Sequence, residues 1–484
     1  MTLQTDAPQV KLKKPKHPRI SMTLLGVGLV IMLAGALFGY DQGVISGALA
    51  GIKSTFSTST WMIEAITSWV TLGAMCGALL AGALADRMGR RWTILLASVL
   101  FSIGALVEAF APGTAILIVG RFVVGFGVGV ASVAAPLYAA EMAPARLRGR
   151  FVSLYQLAIT MGIAVAYYVN FLLINSGTWR IMLGVSAVPA VLLILAVAPM
   201  PDSPRWYMKV HRKESAEKSL KRVEPDCDIT TRIAEIAAAV EDDEKKSTSW
   251  SAVFSFQWRK PLIIGVSLAL LQQLTGINAV IYYANDIFKN AGFHSQTGQA
   301  LATLWAVGVV NVIATFIAVA WVDRFGRKPL LLIGSTGMFL SLILIGAMFY
   351  KINHESAPSN GSTSMAGIVM LVGLVVFISS FAFSLGPIVW TVINEIFPAE
   401  VRGKAVAVAT AANWLGAFAV TMTFLSLSNA ITSAGVFWLY AAFCVVTFFF
   451  VRHFLPETKG RSLEEIQTMW GDPQKIHDAI HDHI

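Results

Sequence analysis

Cysteine and charge are both scarce in this sequence. Only three of its 484 residues are cysteines, and Cys76, Cys227 and Cys444 are too scattered for a disulfide framework or a metal-binding spacing. Charged residues make up 13% of the chain against 56% hydrophobic residues. A soluble protein of this length needs more polar surface than that. The composition therefore excludes a soluble globular protein and a disulfide-rich one.

The sequence also shows no residue pattern typical of a catalytic nucleophile, a metal site or a nucleotide-binding site. We therefore expect no enzymatic activity, no metal and no cofactor. The glycine run GFGVGVA at 125–131 resembles a nucleotide-binding motif. No strand precedes it, however, and it lies within an apolar run. Close packing of membrane helices is the better explanation for these glycines.

Apolar runs of about 20 residues are abundant, and each is long enough for a helix to cross roughly 30 Å of hydrocarbon. Twelve runs occur, near 21–50, 61–84, 92–111, 115–140, 151–174, 179–198, 260–289, 299–322, 329–350, 366–393, 403–426 and 433–452. The pattern predicts an all-α polytopic membrane protein with twelve transmembrane helices.

The net charge of +9 reflects the orientation of the chain in the membrane and does not indicate nucleic-acid binding. If the N-terminus is cytoplasmic, the segments on that side hold 32 of the 37 Lys and Arg residues, and the opposite loops hold four. This asymmetry is the positive-inside rule, and it predicts that both termini are cytoplasmic. We expect a lipid bilayer as the surrounding medium, in a plasma membrane or bacterial inner membrane.

The two halves of the chain repeat one template. LADRMGRRWTILL at 84–96 matches WVDRFGRKPLLLI at 321–333, and YAAEMAPARLRGR at 138–150 matches VINEIFPAEVRGK at 392–404. The predicted units are a basic N-terminal tail (1–20), a six-helix bundle (21–198), a cytoplasmic linker with short amphipathic helices (199–259), a second six-helix bundle (260–455) and a cytoplasmic C-terminal tail (456–484). Two such bundles can alternate access to a site at their interface.

These motifs resemble those of the sugar porter family within the major facilitator superfamily. The matching stretches are GRR and GRK, PDSPRW, QQLTGINAVIYYA, GPIVWTVINEIFPAEVRG and PETKG, and they cover the predicted spans in order. In PDSPRW, Asp202 replaces the glutamate that is usual in the family. The resemblance implies the major facilitator fold and transport of a small neutral sugar or polyol. We expect a monomer.

Asp41 and Arg121 are charged residues deep within predicted spans. A charge near mid-bilayer costs about 2.5–3.5 kcal/mol on insertion scales unless it is paired, hydrated or neutralised. One acid and one base suggest a pair, either a static link between helices one and four or a switch in which a proton on Asp41 releases Arg121. Resemblance to proton symporters favours the switch. A sugar uniporter and a transporter-like nutrient sensor are the alternatives.

Amides and aromatic rings within the spans predict a site for a neutral polyol. Amides donate and accept hydrogen bonds and so suit sugar hydroxyls, although each can instead link helices. The predicted substrate residues are Gln156, Gln272, Gln273, Asn278, Asn311 and Asn413, with the rings of Phe38, Tyr282, Phe381 and Trp390. For the amides in QQLTGIN to converge, the helix must loosen, which Gly276 permits. Gly386-Pro387 predicts a hinge in helix ten.

The loops on the predicted cytoplasmic side carry matched acids and bases. They are Asp86, Arg87, Arg91, Glu141 and Arg148 in the first half and Asp323, Arg324, Lys328, Glu395 and Arg402 in the second. The positive-inside rule explains the bases but not the acids. By resemblance, these residues form a gate that closes the cytoplasmic face. Glu64 and Glu108 fall near predicted outer ends, where we expect snorkelling or contact with water to accommodate them.

Overall fold

The computed structural model describes residues 21–144, 146–174, 178–245, 249–321, 325–354, 365–397, 399–459, 465–466 and 470. Every regular element in these ranges is helical. The predicted N-terminal tail, most of the predicted C-terminal tail, and the predicted gate residues Asp323 and Arg324 lie outside the described residues.

Five long helices and one divided helix form the first half. They are α1 (Met22–Phe56), α2 (Thr60–Met88), α3 (Arg90–Ala109), α4 (Thr114–Met142), α5 (Arg148–Leu173), and the pair α6 (Trp179–Gly184) and α7 (Ala187–Val197). Serine hydroxyls cap two of the helix starts, because Ser21 accepts a hydrogen bond from the Leu24 N–H and Ser59 accepts one from the Met62 N–H. Such caps satisfy N–H groups that have no partner within the helix.

Four short helices follow the sixth span. They are α8 (Pro204–Lys209), α9 (Lys213–Val223), α10 (Ile229–Lys245) and α11 (Trp250–Val253). Ala216 and Leu220 of α9 bury their side chains against Ile233 of α10. The hydroxyl of Ser21, at the start of α1, donates to the Val223 carbonyl at 3.0 Å. We call this side of the molecule, where α1 begins and the short helices lie, the linker end, and the opposite side the far end.

The second half contains more helix breaks than the first. Its helices are α12 (Arg259–Leu274), α13 (Ile277–Tyr282), α14 (Ala284–Asn290), α15 (Gln296–Thr303), α16 (Val310–Trp321), α17 (Arg327–His354), α18 (Met365–Phe383), α19 (Leu385–Ile396) and α20 (Ala399–Phe454). A π-helical turn at Leu304–Val309 joins α15 to α16.

Eleven helical stretches among the described residues, some of which include a break between two helices, are long and apolar enough to cross a membrane. The last of them, Glu400–Phe454, has 55 residues, which corresponds to about 80 Å and is enough for two crossings. Its backbone leaves helical geometry at Thr432, where φ is 67°. The prediction of twelve spans in an all-α membrane fold is therefore confirmed.

Glycine allows the helices of the first half to approach closely. A Cβ on Gly125 would overlap the carbonyl oxygen of Val70 in α2, and one on Gly129 would overlap that of Ala74. Gly127, on another face of α4, lies against the Ala97 carbonyl of α3. The prediction that the run at 125–131 serves helix packing is confirmed.

Replacing Gly125 with alanine should destabilise the protein. The added methyl group meets the Val70 backbone, which cannot rotate away, so α2 and α4 must separate. Overpacking of this kind costs about 1–3 kcal/mol. Gly82 is the matched control, because nothing lies within 4 Å of a Cβ at that position of α2. In detergent we expect Gly125→Ala to lower Tm by several degrees and Gly82→Ala to leave it unchanged. Equal Tm values for the two variants would contradict this account.

Candidate functional site

A buried ion pair joins α1 to α4. The Nη1 of Arg121 lies 2.6 Å from the Oδ1 of Asp41, and these residues are 0% and 3% exposed. The Nε of Arg121 also donates to the Ile66 carbonyl of α2 at 3.2 Å. The pair expected from the sequence therefore forms, and it fastens three helices of the first half at one point.

Glu108 is a second acid at this pair, and the expectation that water contacts it is wrong. It lies at the last turn of α3 but is only 1% exposed. Its Oε1 is 3.8 Å from the Nη1 of Arg121. The side chain fits inside because Gly120 leaves room for it, since a Cβ at Gly120 would lie 2.7 Å from the Glu108 Cγ. One base thus faces two acids in a site closed to water.

Tyr282, one of the predicted substrate rings, lies beside the same pair. It belongs to α13 in the second half and is 1% exposed. Its hydroxyl interacts with the side chain of Gln42 and lies within electrostatic range of Asp41 and Arg121. Helix α1, which carries Asp41, therefore meets the second half through Gln42 and Tyr282.

Four of the predicted amides form one hydrogen-bonded chain in the second half. Asn278 Nδ2 donates to Gln273 Oε1 at 2.8 Å, and Gln273 Nε2 donates to Asn413 Oδ1 at 3.1 Å. Asn413 Nδ2 donates to Gln272 Oε1 at 2.7 Å, and Gln272 Nε2 donates to the Leu385 carbonyl at 2.6 Å. We call Gln272, Gln273, Asn278 and Asn413 the amide chain.

Breaks in two helices bring the amide chain together. Helix α12 ends at Leu274, and Gly276, with φ of 87°, begins α13 at a new angle. That left-handed conformation favours glycine, and the expected loosening within TGIN is confirmed. In helix ten the backbone leaves helical geometry at Ser384, two residues before the predicted Gly386-Pro387 hinge. Pro387 has no N–H, so it cannot bond the carbonyl four residues earlier.

Among the described residues, no side-chain hydrogen bond joins the other predicted substrate residues to the amide chain. Gln156 and Trp390 are half-buried. Asn311 is 6% exposed, and its Oδ1 accepts from Thr315 at 3.5 Å. Phe38 and Phe381 are also half-buried. The Phe38 ring lies 5.5 Å from the ring of Trp414, so it bridges the halves beside Asn413.

At the linker end, the first half contains a compact network around Arg90. The guanidinium of Arg90 donates to Glu141 Oε1 at 2.8 Å. Asp202 accepts the backbone N–H groups of Arg90 and Arg91, at 2.9 Å and 3.2 Å, where α3 begins. The Ser203 hydroxyl also donates to Glu141. Burial raises the pKa of Asp202 even though backbone N–H groups donate to its carboxylate.

The second half repeats this network at matching positions. Arg327 Nη2 donates to Glu395 Oε1 at 3.0 Å, and Glu457 accepts the backbone N–H groups of Arg327 and Lys328, each at 3.0 Å. Thr458 donates to Glu395 at 2.5 Å, as Ser203 does to Glu141. The predicted gate included the neighbouring bases Arg91 and Lys328 but not Arg90 and Arg327. The signal was available, because GRR and GRK align these arginines.

The remaining predicted gate residues occupy varied surroundings. Asp86 contacts Arg90 at 3.3 Å and Lys209 at 2.9 Å. Arg91 donates to the Ala198 carbonyl, and Arg402 Nε donates to the Phe397 carbonyl at 3.0 Å. Arg87 and Arg148 are exposed, and Lys328 is buried. The pairs of Arg90 with Glu141 and of Arg327 with Glu395 each join residues of a single half.

At the far end, by contrast, hydrogen bonds cross between the halves. Glu64 of α2 accepts the backbone N–H of Ser426 at 2.7 Å and its hydroxyl at 2.5 Å. The expectation that Glu64 contacts water is wrong, because this side chain is 0% exposed. The Asn285 N–H donates to Ser46 at 3.0 Å, and the Tyr167 hydroxyl donates to the Ile281 carbonyl at 2.8 Å. The halves are therefore held together at the far end.

Replacing Glu64 with alanine should open the far end, since it removes two bonds between α2 and α20. We expect longer spin–spin distances between labels on the exposed positions Ser54 and Gln296, measured by double electron–electron resonance in a cysteine-free background. Ser426→Ala removes only the hydroxyl bond, so its shift should be smaller. Identical distance distributions for Glu64→Ala and the parent protein would show that this contact does not hold the far end closed.

The chain is similar to sugar transporters along nearly its whole length. The family described as Sugar (and other) transporter matches residues 27–470. The galactose-proton symporter of Escherichia coli K12 is 38% identical over 97% of this chain and 99% of its own length. The arabinose-proton symporter of the same strain is 38% identical over 91% of this chain and 92% of its own length. A partially occluded inward-open structure of the E. coli xylose transporter XylE superposes with a TM-score of 0.78 at 31% identity, covering 91% of this chain and all of that one.

Proposed function

Because the chain belongs to the sugar transporter family, whose members are membrane transporters and not enzymes, we propose that it carries a neutral monosaccharide or polyol together with a proton by alternating access. The relatives named above are sugar–proton symporters, which supports the proton as the co-substrate. The single observation that carries the proposal is the contact of Asp41 with Arg121, buried inside the first half.

The physical basis of coupling is the cost of an uncompensated buried charge. Breaking a buried pair by removing one partner typically costs about 3–5 kcal/mol. A proton on Asp41 neutralises its carboxylate and so removes the main attraction that holds Arg121 against α1. Because α1 and α4 meet at this contact and Tyr282 of the second half lies within its electrostatic range, protonation would bias how the halves sit against each other.

The amide chain is the proposed sugar site. Its members are 3–7% exposed, carry no charge, and already orient each other through hydrogen bonds. Sugar hydroxyls can replace these bonds one for one, because each amide has both donor and acceptor groups. In the proposed site, Phe38, Phe381, Tyr282 and Trp390 would supply apolar faces for a sugar ring, and Gln156 and Asn311 would supply further hydrogen bonds.

The linker end is the proposed cytoplasmic side, in a plasma membrane or bacterial inner membrane, because the basic segments gather there. Residues 21–198 and 260–455 would move as two bodies in a monomer. In the described arrangement the far end is closed by contacts between the halves, and the linker-end networks brace each half separately. This arrangement faces inward. In the outward-facing state, Glu141, Glu395 and their neighbours would exchange partners across the linker end.

Transport by the purified protein in liposomes tests this proposal. We expect an inward proton gradient to drive accumulation of at least one labelled sugar among galactose, arabinose, xylose and glucose. Asp41→Asn should abolish accumulation, because the amide cannot bind the coupling proton, while sugar counterflow without a gradient persists. Asp243→Asn is the matched control: its exposed pair with Arg205 lies on the short helices, so it should accumulate sugar like the wild type.

Other results would overturn parts of the proposal. Uptake that ignores the proton gradient, with Asp41→Asn equal to wild type, would make the protein a uniporter with a structural ion pair. If none of the sugars is taken up, the substrate class is wrong.

Removing one amide from the chain should weaken sugar binding without changing the proton dependence of transport. Gln273→Ala removes one donor and one acceptor that the sugar would use, and each lost hydrogen bond is worth about 0.5–1.5 kcal/mol. We expect Kd for the transported sugar to rise about tenfold or more. Gln299→Ala is the control, because this buried glutamine donates to the Phe293 carbonyl away from the amide chain. Equal affinities for the two variants would remove Gln273 from the sugar site.

A further inference from the structure

The charged site in the first half has one more acid than a simple Asp–Arg switch requires, and the mechanism above leaves Glu108 unused. We propose that Glu108 enables Asp41 to bind the proton. When Asp41 is protonated, the Glu108 carboxylate balances the positive charge of Arg121. The inference deepens the proposed function and depends on it.

Glu108 lies close to Arg121, and each of the two side chains has an atom without a hydrogen-bond partner among the described residues. Arg121 Nη1 lies 2.6 Å from Asp41 and 3.8 Å from Glu108. The Glu108 Oε1 and the Arg121 Nη2 have no hydrogen-bond partner among the described residues. The site thus contains an unpaired acceptor on Glu108 and an unpaired donor on Arg121, and all three residues are at most 3% exposed. Because Glu108 Oε1 is already 3.8 Å from one guanidinium nitrogen, a closer approach would form the bond.

Charge balance gives this arrangement its function. A buried site resists net charge, because water is not present to solvate it. Asp41 and Arg121 alone are neutral with no proton bound. With Glu108 included, the ionised site carries one net negative charge and becomes neutral when it binds one proton. The additional carboxylate therefore makes the proton-loaded form the electrically favoured one.

The step itself is a single proton transfer with a change of ion-pair partner. A proton from water on the open side bonds to a carboxylate oxygen of Asp41, and the contact of Asp41 with Arg121 weakens. Arg121 then donates to Glu108, so its charge stays compensated. When the proton leaves to the opposite side, Asp41 is ionised again and recovers the arginine.

The other charged groups near this site are already engaged. From α13, Tyr282 faces the Asp41–Arg121 pair. From α6, Arg180 donates to the Ala111 carbonyl at 2.8 Å and lies over the ring of Trp179. From α2, Glu64 is bonded to Ser426, and α7 contains no titratable residue. Glu108 is thus the group placed to replace Asp41 as the anion opposite Arg121.

The test is the pH dependence of proton-driven sugar accumulation in liposomes. Glu108→Gln keeps the shape of the side chain but removes its charge, so protonation of Asp41 would leave Arg121 uncompensated. We expect the pH midpoint of accumulation to move by about one unit toward acid, equivalent to a tenfold higher proton concentration, as the loss of a neighbouring charge predicts. Glu108→Asp keeps the charge and should lie nearer to wild type.

A second pair of variants keeps the test valid if the first is unstable. Glu108→Asp and Glu108→Asn leave the same space in the packing and differ only in charge, so a difference between their midpoints reports charge alone. A merely structural Glu108 would give equal midpoints in this pair and an unshifted Glu108→Gln, and either result would overturn the inference. If wild type shows no proton-driven accumulation, the proposed function itself fails, and that outcome is distinct from an unshifted Glu108→Gln in an active symporter.

Discussion

A guanidinium that is closed off from solvent constrains the packing of the first half of this protein. Arg121 is 0% exposed, so its charge must be compensated by side chains that other helices bring to it. Asp41 comes from α1 and Glu108 from α3, while a carbonyl of α2 accepts from the arginine Nε. Glycines such as Gly120 allow these helices to approach closely enough. Arg121 is therefore central both to the helix packing of the first half and to its buried charges.

Duplication provides each half with the same brace at the linker end. Asp202 and Glu457 accept the backbone N–H groups at the starts of α3 and α17. These N–H groups have no partner within their own helices, and carboxylates favour helix N-termini. Asp202, although one methylene shorter than Glu457, thus makes the same contacts as its counterpart. Each brace ties the sixth span of a half to its third and stiffens it as a unit.

The buried charged residues around Arg121 and the neutral amide chain lie in different halves. The first half holds the ionisable cluster around Arg121, and the second holds the neutral amide chain. This separation keeps the proposed sugar site free of net charge while the proposed proton site keeps its carboxylates. Tyr282 and the rings of Phe38 and Trp414 connect the two across the interface. Coupling then requires only that a change in one half alters contacts made by a few side chains of the other.

The sequence by itself determined the number of spans, the duplication, the pairing of Asp41 with Arg121 and the loosening at Gly276. Each depends on local signals: apolar length, repeated motifs, the rarity of charge in lipid, and a glycine where the helix must turn. Only the tertiary structure decided what surrounds the end of each helix. Glu64 and Glu108 lie at helix ends along the chain, yet both are buried, because neighbouring helices and the opposite half cover them. Distance along a helix predicts depth in the membrane, but only packing decides whether water is present.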